Sequence, residues 1–227
     1  MSQTGVELLV EPDAESAARA CATMLAAAEG NVVLTGGSTP ERAYELAAEL
    51  RRDWSDTALW WGDERCVPPE HEWSNFGLAK RALLDSIEVP PAAVHRIEGE
   101  LGAEEAARRY DEALLGVSLD VVLLGLGPDG HAASLFPGAQ GLEERERRAI
   151  AAEATLEPIV DRVTMTIPVL ESAALLLWLV EGRGKADAAA RAFAGAPDPA
   201  TPASLIRSKN GRTLAILDRE AASLLTN

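Results

Sequence analysis

Short apolar runs alternate along this chain with longer stretches whose apolar residues recur at helical spacing. Val6–Val10 reads as a first strand, and Asp13 is placed to cap a helix carrying Ala17, Cys21, Met24, Leu25 and Ala28 on one face, with Gly30 ending it. Asn31–Leu34 reads as a second strand. The helix after it opens on Pro40 and runs to about Leu50, and Ser38 with Glu41 has capping-box spacing. Thr57–Trp61 reads as a third strand, Ser74 caps a helix to about Leu84, Val94–Ile97 is a short strand, and Ala103–Leu115 is a helix. Leu119–Leu124 is a buried strand, and the charged run Gly141–Arg148 reads as a solvated face or a flexible connection. Asp161–Pro168 alternates as a strand and Ala174–Val180 is a buried one. An alanine-rich helix then runs to Phe193, and Thr213–Leu217 is a last strand before a short helix. Strand and helix alternate throughout. The pattern predicts one α/β domain over residues 1–227, a doubly wound, largely parallel sheet flanked by helices on both faces.

Four of the strands end in turns that regular structure does not require. After Leu34 comes Gly36-Gly37-Ser38, where glycines and a hydroxyl at a helix N-terminus suit phosphate. After Trp61 comes Asp63-Glu64-Arg65, in which extended geometry sends Asp63 and Arg65 to one side and Glu64 to the other. After Val180 comes Gly182-Arg-Gly-Lys185, and Lys185 in a first helical turn opposes the helix dipole unless an anion binds there. After Leu124 comes Gly125-Leu-Gly-Pro-Asp-Gly-His131, which carries the ionisable pair Asp129 and His131. His131 is one of three histidines and the only one in such a turn.

The last turn also spells G-x-G-x-x-G. A dinucleotide fingerprint needs a full helix next, and Pro137-Gly138 interrupts the segment too early for one. If the four strand ends gather at one edge of the sheet, they form a pocket with two ends. Gly36, Gly37, Ser38, Arg162 and Lys185 supply an anion-binding end, and Asp63, Arg65, Asp129 and His131 supply an acid–base end.

Bulk properties narrow the partner. The 227 residues carry a formal net charge of -15, which argues against non-specific nucleic-acid binding and against anionic membrane surfaces. The two cysteines, Cys21 and Cys66, fit neither a disulfide framework nor a metal spacing. No apolar run is long enough to span a bilayer, and the expected compartment is the cytoplasm.

The order Leu34-Thr-Gly-Gly-Ser-Thr-Pro40, Trp61-Gly-Asp-Glu-Arg-Cys-Val67, Gly125-Leu-Gly-Pro-Asp-Gly-His-Ala-Ala-Ser-Leu-Phe-Pro-Gly138, Arg162-Val-Thr-Met-Thr166 and Gly182-Arg-Gly-Lys185 resembles the 6-phosphogluconolactonase family, over essentially the whole chain. The sister family of glucosamine-6-phosphate deaminases shares the individual motifs. It carries a carboxylate after its histidine, where this chain has Ala132-Ala-Ser-Leu-Phe-Pro137.

The resemblance implies a Rossmann-like fold of the sugar-phosphate isomerase type and a lactone hydrolase that opens 6-phospho-D-glucono-1,5-lactone without metal or organic cofactor. His131 would be the base that activates water, with Asp129 or Asp63 orienting it. Arg65 or the N–H groups of the Gly127–Gly130 turn would stabilise the oxyanion. Arg162 and Lys185, with Gly36–Ser38, would hold the phosphate. The expected partner is the small sugar-phosphate lactone, with no nucleic acid and no membrane, and the chain is expected to act as a monomer, weak self-association aside. Two rivals are a deaminase or isomerase on the same fold and a non-catalytic sugar-phosphate sensor. For the sensor the chain offers no basic DNA-binding segment.

Overall fold

The computed structural model describes residues 5–155 and 157–225. The main sheet takes strands β1 (Glu7–Glu11), β2 (Gly30–Leu34), β3 (Thr57–Trp61), β5 (Val94–His95), β6 (Val121–Leu124), β9 (Leu175–Val180) and β10 (Arg212–Asp218). Their order is β1-β10-β9-β6-β2-β3-β5, and every neighbouring pair is parallel. A small antiparallel sheet, β4-β8-β7, is formed by Asp63–Arg65, Arg162–Met165 and Ala149–Ala152 respectively.

Helices α1 (Ala14–Ala26), α2 (Thr39–Leu50) and α3 (Asn75–Ala82) join strands that step in one direction across the sheet. Helices α4 (Ala103–Ala113), α5 (Ile167–Glu171) and α6 (Ala186–Phe193) accompany the steps back. Right-handed crossovers therefore place the first three on one face and the others on the opposite face. The direction reverses between the adjacent strands β2 and β6. At such a switch point the loops leaving the two strand ends diverge to opposite faces and open a crevice. The loops that leave here are Gly36–Ser38 and Gly125–His131.

Two buried tyrosines pin the strand ends beside this crevice. Tyr44 of α2 donates to Thr35 O at 2.7 Å and accepts from Thr35 N at 2.9 Å. Tyr110 of α4 does the same at Trp61, with both bonds 2.9 Å long. Each hydroxyl satisfies a backbone donor and acceptor, so Thr35, directly after β2, and Trp61, the last residue of β3, are held in place. Trp61 and Trp178 are fully buried near these ends, and the central strands β6 and β9 are apolar on both faces, as a covered parallel sheet requires.

Several expectations from the sequence are corrected. The first helix stops at Ala26, and Gly30 instead opens β2 at φ 74, where a Cβ would lie 2.3 Å from Asp120 Oδ2. The capping box at Ser38 does not form. Ser38 already has helical angles (φ -72, ψ -25), so its hydroxyl makes no capping bond and stays exposed. Within Gly141–Arg148 the Glu144 carboxylate accepts the N–H groups of Arg145, Glu146 and Arg147, and the chain leads into β7, a strand not anticipated. After β10, residues 219–224 form turns rather than a helix.

Candidate active site

The turn after β6 closes on itself. Gly127 N donates to His131 O at 2.9 Å, Gly130 N donates to Gly127 O at 3.0 Å, and His131 N donates to Asp129 Oδ1 at 3.1 Å. The same carboxylate oxygen lies 2.6 Å from His131 Nδ1. A carboxylate can only accept there, so the imidazole proton sits on Nδ1 and Nε2 is left as the basic nitrogen. Gly127 is required by close approach: a Cβ on it would come within 2.0 Å of His131 Nδ1 and 2.6 Å of Asp129 Oδ1. Gly130 has φ 94, the left-handed region that favours glycine.

Spacing left open whether Asp129 or Asp63 faces the histidine. The structure puts Asp129 there. Asp63 is 5% exposed, and its carboxylate accepts from Ser134 Oγ at 2.6 Å and from Asn75 Nδ2 at 3.1 Å. The backbone N–H groups of Gly127 and Gly130 are likewise committed inside the turn, which removes them as donors to a ligand. The side-chain cations and the Asp129 N–H of the turn remain for that work.

Those cations sit on the small sheet and beside α6. Arg65 of β4 and Arg162 of β8 are paired positions in the antiparallel ladder. Arg65 Nη1 donates to Trp73 O at 2.6 Å and Arg162 Nη2 to Pro158 O at 3.0 Å, while Nε of both is buried without a partner among the described residues. Burial pulls the Arg162 pKa below the usual arginine range, with the charge of Asp63 opposing that shift and the charge of Arg65 adding to it. Two neighbouring guanidinium groups with no carboxylate hydrogen-bonded to either among the described residues keep donors free for an anion, with the Asp63 and Glu64 charges acting on Arg162 from nearby. Lys185 lies within the field of the Asp129 carboxylate, and burial lowers its pKa. It precedes α6 at the end of a single 3-10 turn, Arg183–Lys185. Gly37, at φ 92, exposes the backbone of the turn before α2.

Three features escaped the sequence reading. Phe136 joins the two ends of the site, its ring centroid 4.8 Å from that of His131 and 5.8 Å from the Arg162 guanidinium carbon. Glu64 faces away from Asp63 and Arg65, as alternation predicts, and anchors β4 to the start of α3. Its carboxylate accepts the N–H groups of Arg65, Asn75 and Phe76, each at 2.7 Å, and burial raises its pKa against these bonds. Arg191 of α6 bonds Thr201 Oγ1 and lies 3.4 Å from the Pro128 and Asp129 carbonyls, bracing the glycine turn from the α6 side. Only the dipeptide Ser74-Asn75, which reads as a helix cap, hinted at any of these.

The same residues identify the lineage. Residues 7–215 match the family model described as glucosamine-6-phosphate isomerases/6-phosphogluconolactonase. The chain belongs to that family. A 6-phosphogluconolactonase of Streptomyces coelicolor is 37% identical to it, over 96% of this chain and 94% of that one. One of Mycobacterium tuberculosis is 35% identical, over 90% and 88%. The solved 6-phosphogluconolactonase of Trypanosoma cruzi superposes with a TM-score of 0.85 at 28% identity, covering 100% of this chain and 99% of that one. A monomeric glucosamine-6-phosphate deaminase, 22% identical with a TM-score of 0.81, shares the fold. No helix among the described residues is long and apolar enough to cross a membrane.

Proposed function

We propose that this chain hydrolyses 6-phospho-D-glucono-1,5-lactone to 6-phospho-D-gluconate, the lactone-opening step of the oxidative pentose phosphate pathway. The observation that carries the reading is the Asp129–His131 pair, with Nε2 as its basic nitrogen, joined through Phe136 to an arginine pair that no carboxylate bonds directly among the described residues. A lactone carbonyl is electrophilic already, so one positioned water and one base suffice.

In the reaction His131 Nε2 takes a proton from water as the oxygen bonds to C1. The Asp129 carboxylate stabilises the imidazolium that forms. Positive charge from Arg65 offsets the developing oxyanion, an effect of about 3–4 kcal/mol for one well-placed donor. The tetrahedral intermediate collapses with cleavage of the C1–ring oxygen bond, and His131 returns its proton to that oxygen. Arg162, Lys185 and the Gly36–Ser38 turn hold the phosphate, which does not react, so their binding energy fixes the carbonyl against the base. The proposal includes a monomeric, cytoplasmic enzyme built as one domain that needs no metal or organic cofactor.

The test is hydrolysis of freshly made lactone, with spontaneous opening subtracted, by the wild type and by His131→Ala. Acceleration that disappears in the variant supports both function and base. Acceleration that persists moves the base elsewhere. No acceleration, with ammonia released from glucosamine 6-phosphate, would transfer the chain to the deaminase branch of its family.

A further inference from the structure

Asp63 stands inside the site without touching its histidine, and what it does touch comes from three separate parts of the chain. Its Oδ2 accepts from Ser134 Oγ, and Asn75 Nδ2 bonds both its Oδ1 and its backbone carbonyl, the latter at 2.9 Å. Ser134 and Asn75 are each 1% exposed, so these bonds are shielded from water. Ser134 N lies 3.3 Å from Thr164 Oγ1, and Thr164 is the ladder partner of Asp63. One serine thus grips both residues of a rung of the small sheet. Asn75 Oδ1 is unpartnered among the described residues and lies against Gly36, where a Cβ would come within 1.8 Å of it.

The backbone between His131 and Ser134 is held in a costly shape. Ala133 has φ 49, left-handed, the only residue other than glycine to do so among those described. Such a conformation persists when surrounding bonds over-determine it: the turn bond from Leu135 N to Ala132 O, 3.0 Å long, closes around Ala133, and the Ser134 bonds to Asp63 and Thr164 tie that turn to the small sheet. The Asp129–His131 pair, by contrast, is oriented by bonds within its own turn, and Arg191 and the Ala203 N–H tie that turn to the α6 side rather than to the small sheet. Those local bonds orient the imidazole but say nothing of how far it lies from the arginines of β4 and β8 or from the Gly36 turn.

We propose that Ser134 and Asn75, acting through Asp63, are positioning residues that set the separation between the histidine end and the anion-binding end of the site, and so the length of ligand that spans them. The inference rests on the functional reading above and deepens it. It gives Asp63 a role other than proton transfer: from β4, one of its oxygens holds Asn75, which packs against the Gly36 turn, and the other holds Ser134 of the histidine segment.

The test compares Ser134→Ala and Asn75→Ala with the wild type in full-length protein, by steady-state kinetics and by calorimetric titration with inorganic phosphate and with 6-phosphogluconate. Inorganic phosphate occupies one end, and 6-phosphogluconate spans both. Ser134→Ala is expected to lower kcat by ~10- to 100-fold, the scale on which a small misplacement of a reacting group acts. The pKa of the base in the kcat/KM profile and the affinity for inorganic phosphate stay as in the wild type, whereas 6-phosphogluconate binds more weakly. The double variant Asp63→Asn with Ser134→Ala is no slower than the slower single variant, because both act through one connection. A general loosening of the fold would instead weaken both ligands together, shift the pKa or give additive losses, and any of these overturns the proposal. Unchanged kcat in Ser134→Ala overturns it too. Should Ser134→Ala not fold, Asp63→Asn, which conserves volume, is read by the same ratio of affinities. That ratio needs no turnover, so a wild type that binds both ligands without opening the lactone removes the functional reading and leaves the positioning inference standing.

Discussion

Arg65 and Arg162 face each other across one rung of the β4–β8 ladder, and the hydrogen bonds of both run to backbone carbonyls, with Nε of each buried and unpartnered among the described residues. Juxtaposed, partly buried cations destabilise the free protein, and a bound dianion relieves them. Arg162→Met should therefore raise Tm by about 2–4 °C, the shift that follows from relief of about 1 kcal/mol in a chain of this size. It should also raise KM for the lactone by ~10-fold or more, through loss of a charge-assisted bond to phosphate. Added phosphate should raise the melting temperature of the wild type more than that of the variant. Differential scanning calorimetry with and without phosphate checks this, and a lowered Tm with unchanged KM would contradict it.

The 2.6 Å contact between Asp129 and His131 fixes which ring nitrogen carries the proton. Asp129→Asn keeps the size of the side chain but allows its amide to donate to Nδ1, which favours the tautomer protonated on Nε2. We expect kcat to fall by ~100-fold or more with KM little changed, since general-base catalysis of this kind contributes about that much. Steady-state kinetics decide the matter. A rise in KM at constant kcat would make Asp129 a binding residue instead.

Burial depresses the Lys185 pKa, and the Asp129 carboxylate only partly opposes that. The sign of the pH dependence follows. Raising the pH removes the ammonium proton sooner than from an exposed lysine, and each molecule that loses it loses attraction for phosphate. The affinity for 6-phosphogluconate should fall as pH rises towards the ordinary lysine range. In Lys185→Met it should be lower by ~10-fold at neutral pH and lack that alkaline decline. Titration calorimetry across that range measures both. A wild-type affinity flat in pH up to the ordinary lysine value would rule the arrangement out.

Glu181, at the end of β9, is pushed up to about 7, chiefly by burial, with the charges of Asp218 and Glu15 adding to the effect. A carboxyl whose folded pKa lies above its unfolded one favours folding below the unfolded value. It becomes a liability as pH rises from the ordinary carboxyl range towards 7. Glu181→Gln should leave Tm unchanged at pH ~4 and raise it at pH ~8. A shift of this size corresponds to about 3 kcal/mol when fully buried, and solvent at the half-buried group reduces the expected gain to about 1 kcal/mol. Thermal melts at the two pH values give the answer, and equal effects at both would refute the assignment.

The strands that frame the crevice were legible because a covered parallel sheet writes them as continuous apolar runs. Val121–Leu124 and Leu175–Val180 could be little else. The gathering of strand-end turns followed from that, since strand ends on the same side of a parallel sheet meet. β7 was not legible. Its four residues, Ala149–Ala152, are three alanines and one isoleucine, follow a charged run and gain their identity only by pairing with β8. The Ser38–Glu41 box failed for a local reason, a backbone already helical where a cap must be extended. Asn75 and Ser134 were invisible for a different one. Their partner Asp63 lies 12 and 71 residues away in sequence, so no spacing rule connects them. The choice between Asp129 and Asp63 likewise needed the fold, because both are short carboxylates that follow a buried strand by a few residues.

The first strand of the main sheet lies beside the last, and Glu7 is paired with Arg212 across the length of the chain. On a ribosome β1 emerges about two hundred residues before β10. β2, β3 and β6 find their neighbours early, so the crevice can take shape on the nascent chain while β1, with Leu8, Leu9 and Val10, still lacks its own. Seating that strand must await β10, and until then an apolar edge is open to chaperones and to other nascent chains. Translation thus delivers the two strands that flank the crevice before the strand order is complete, and β1, made well before its partner, is among the last strands to pair.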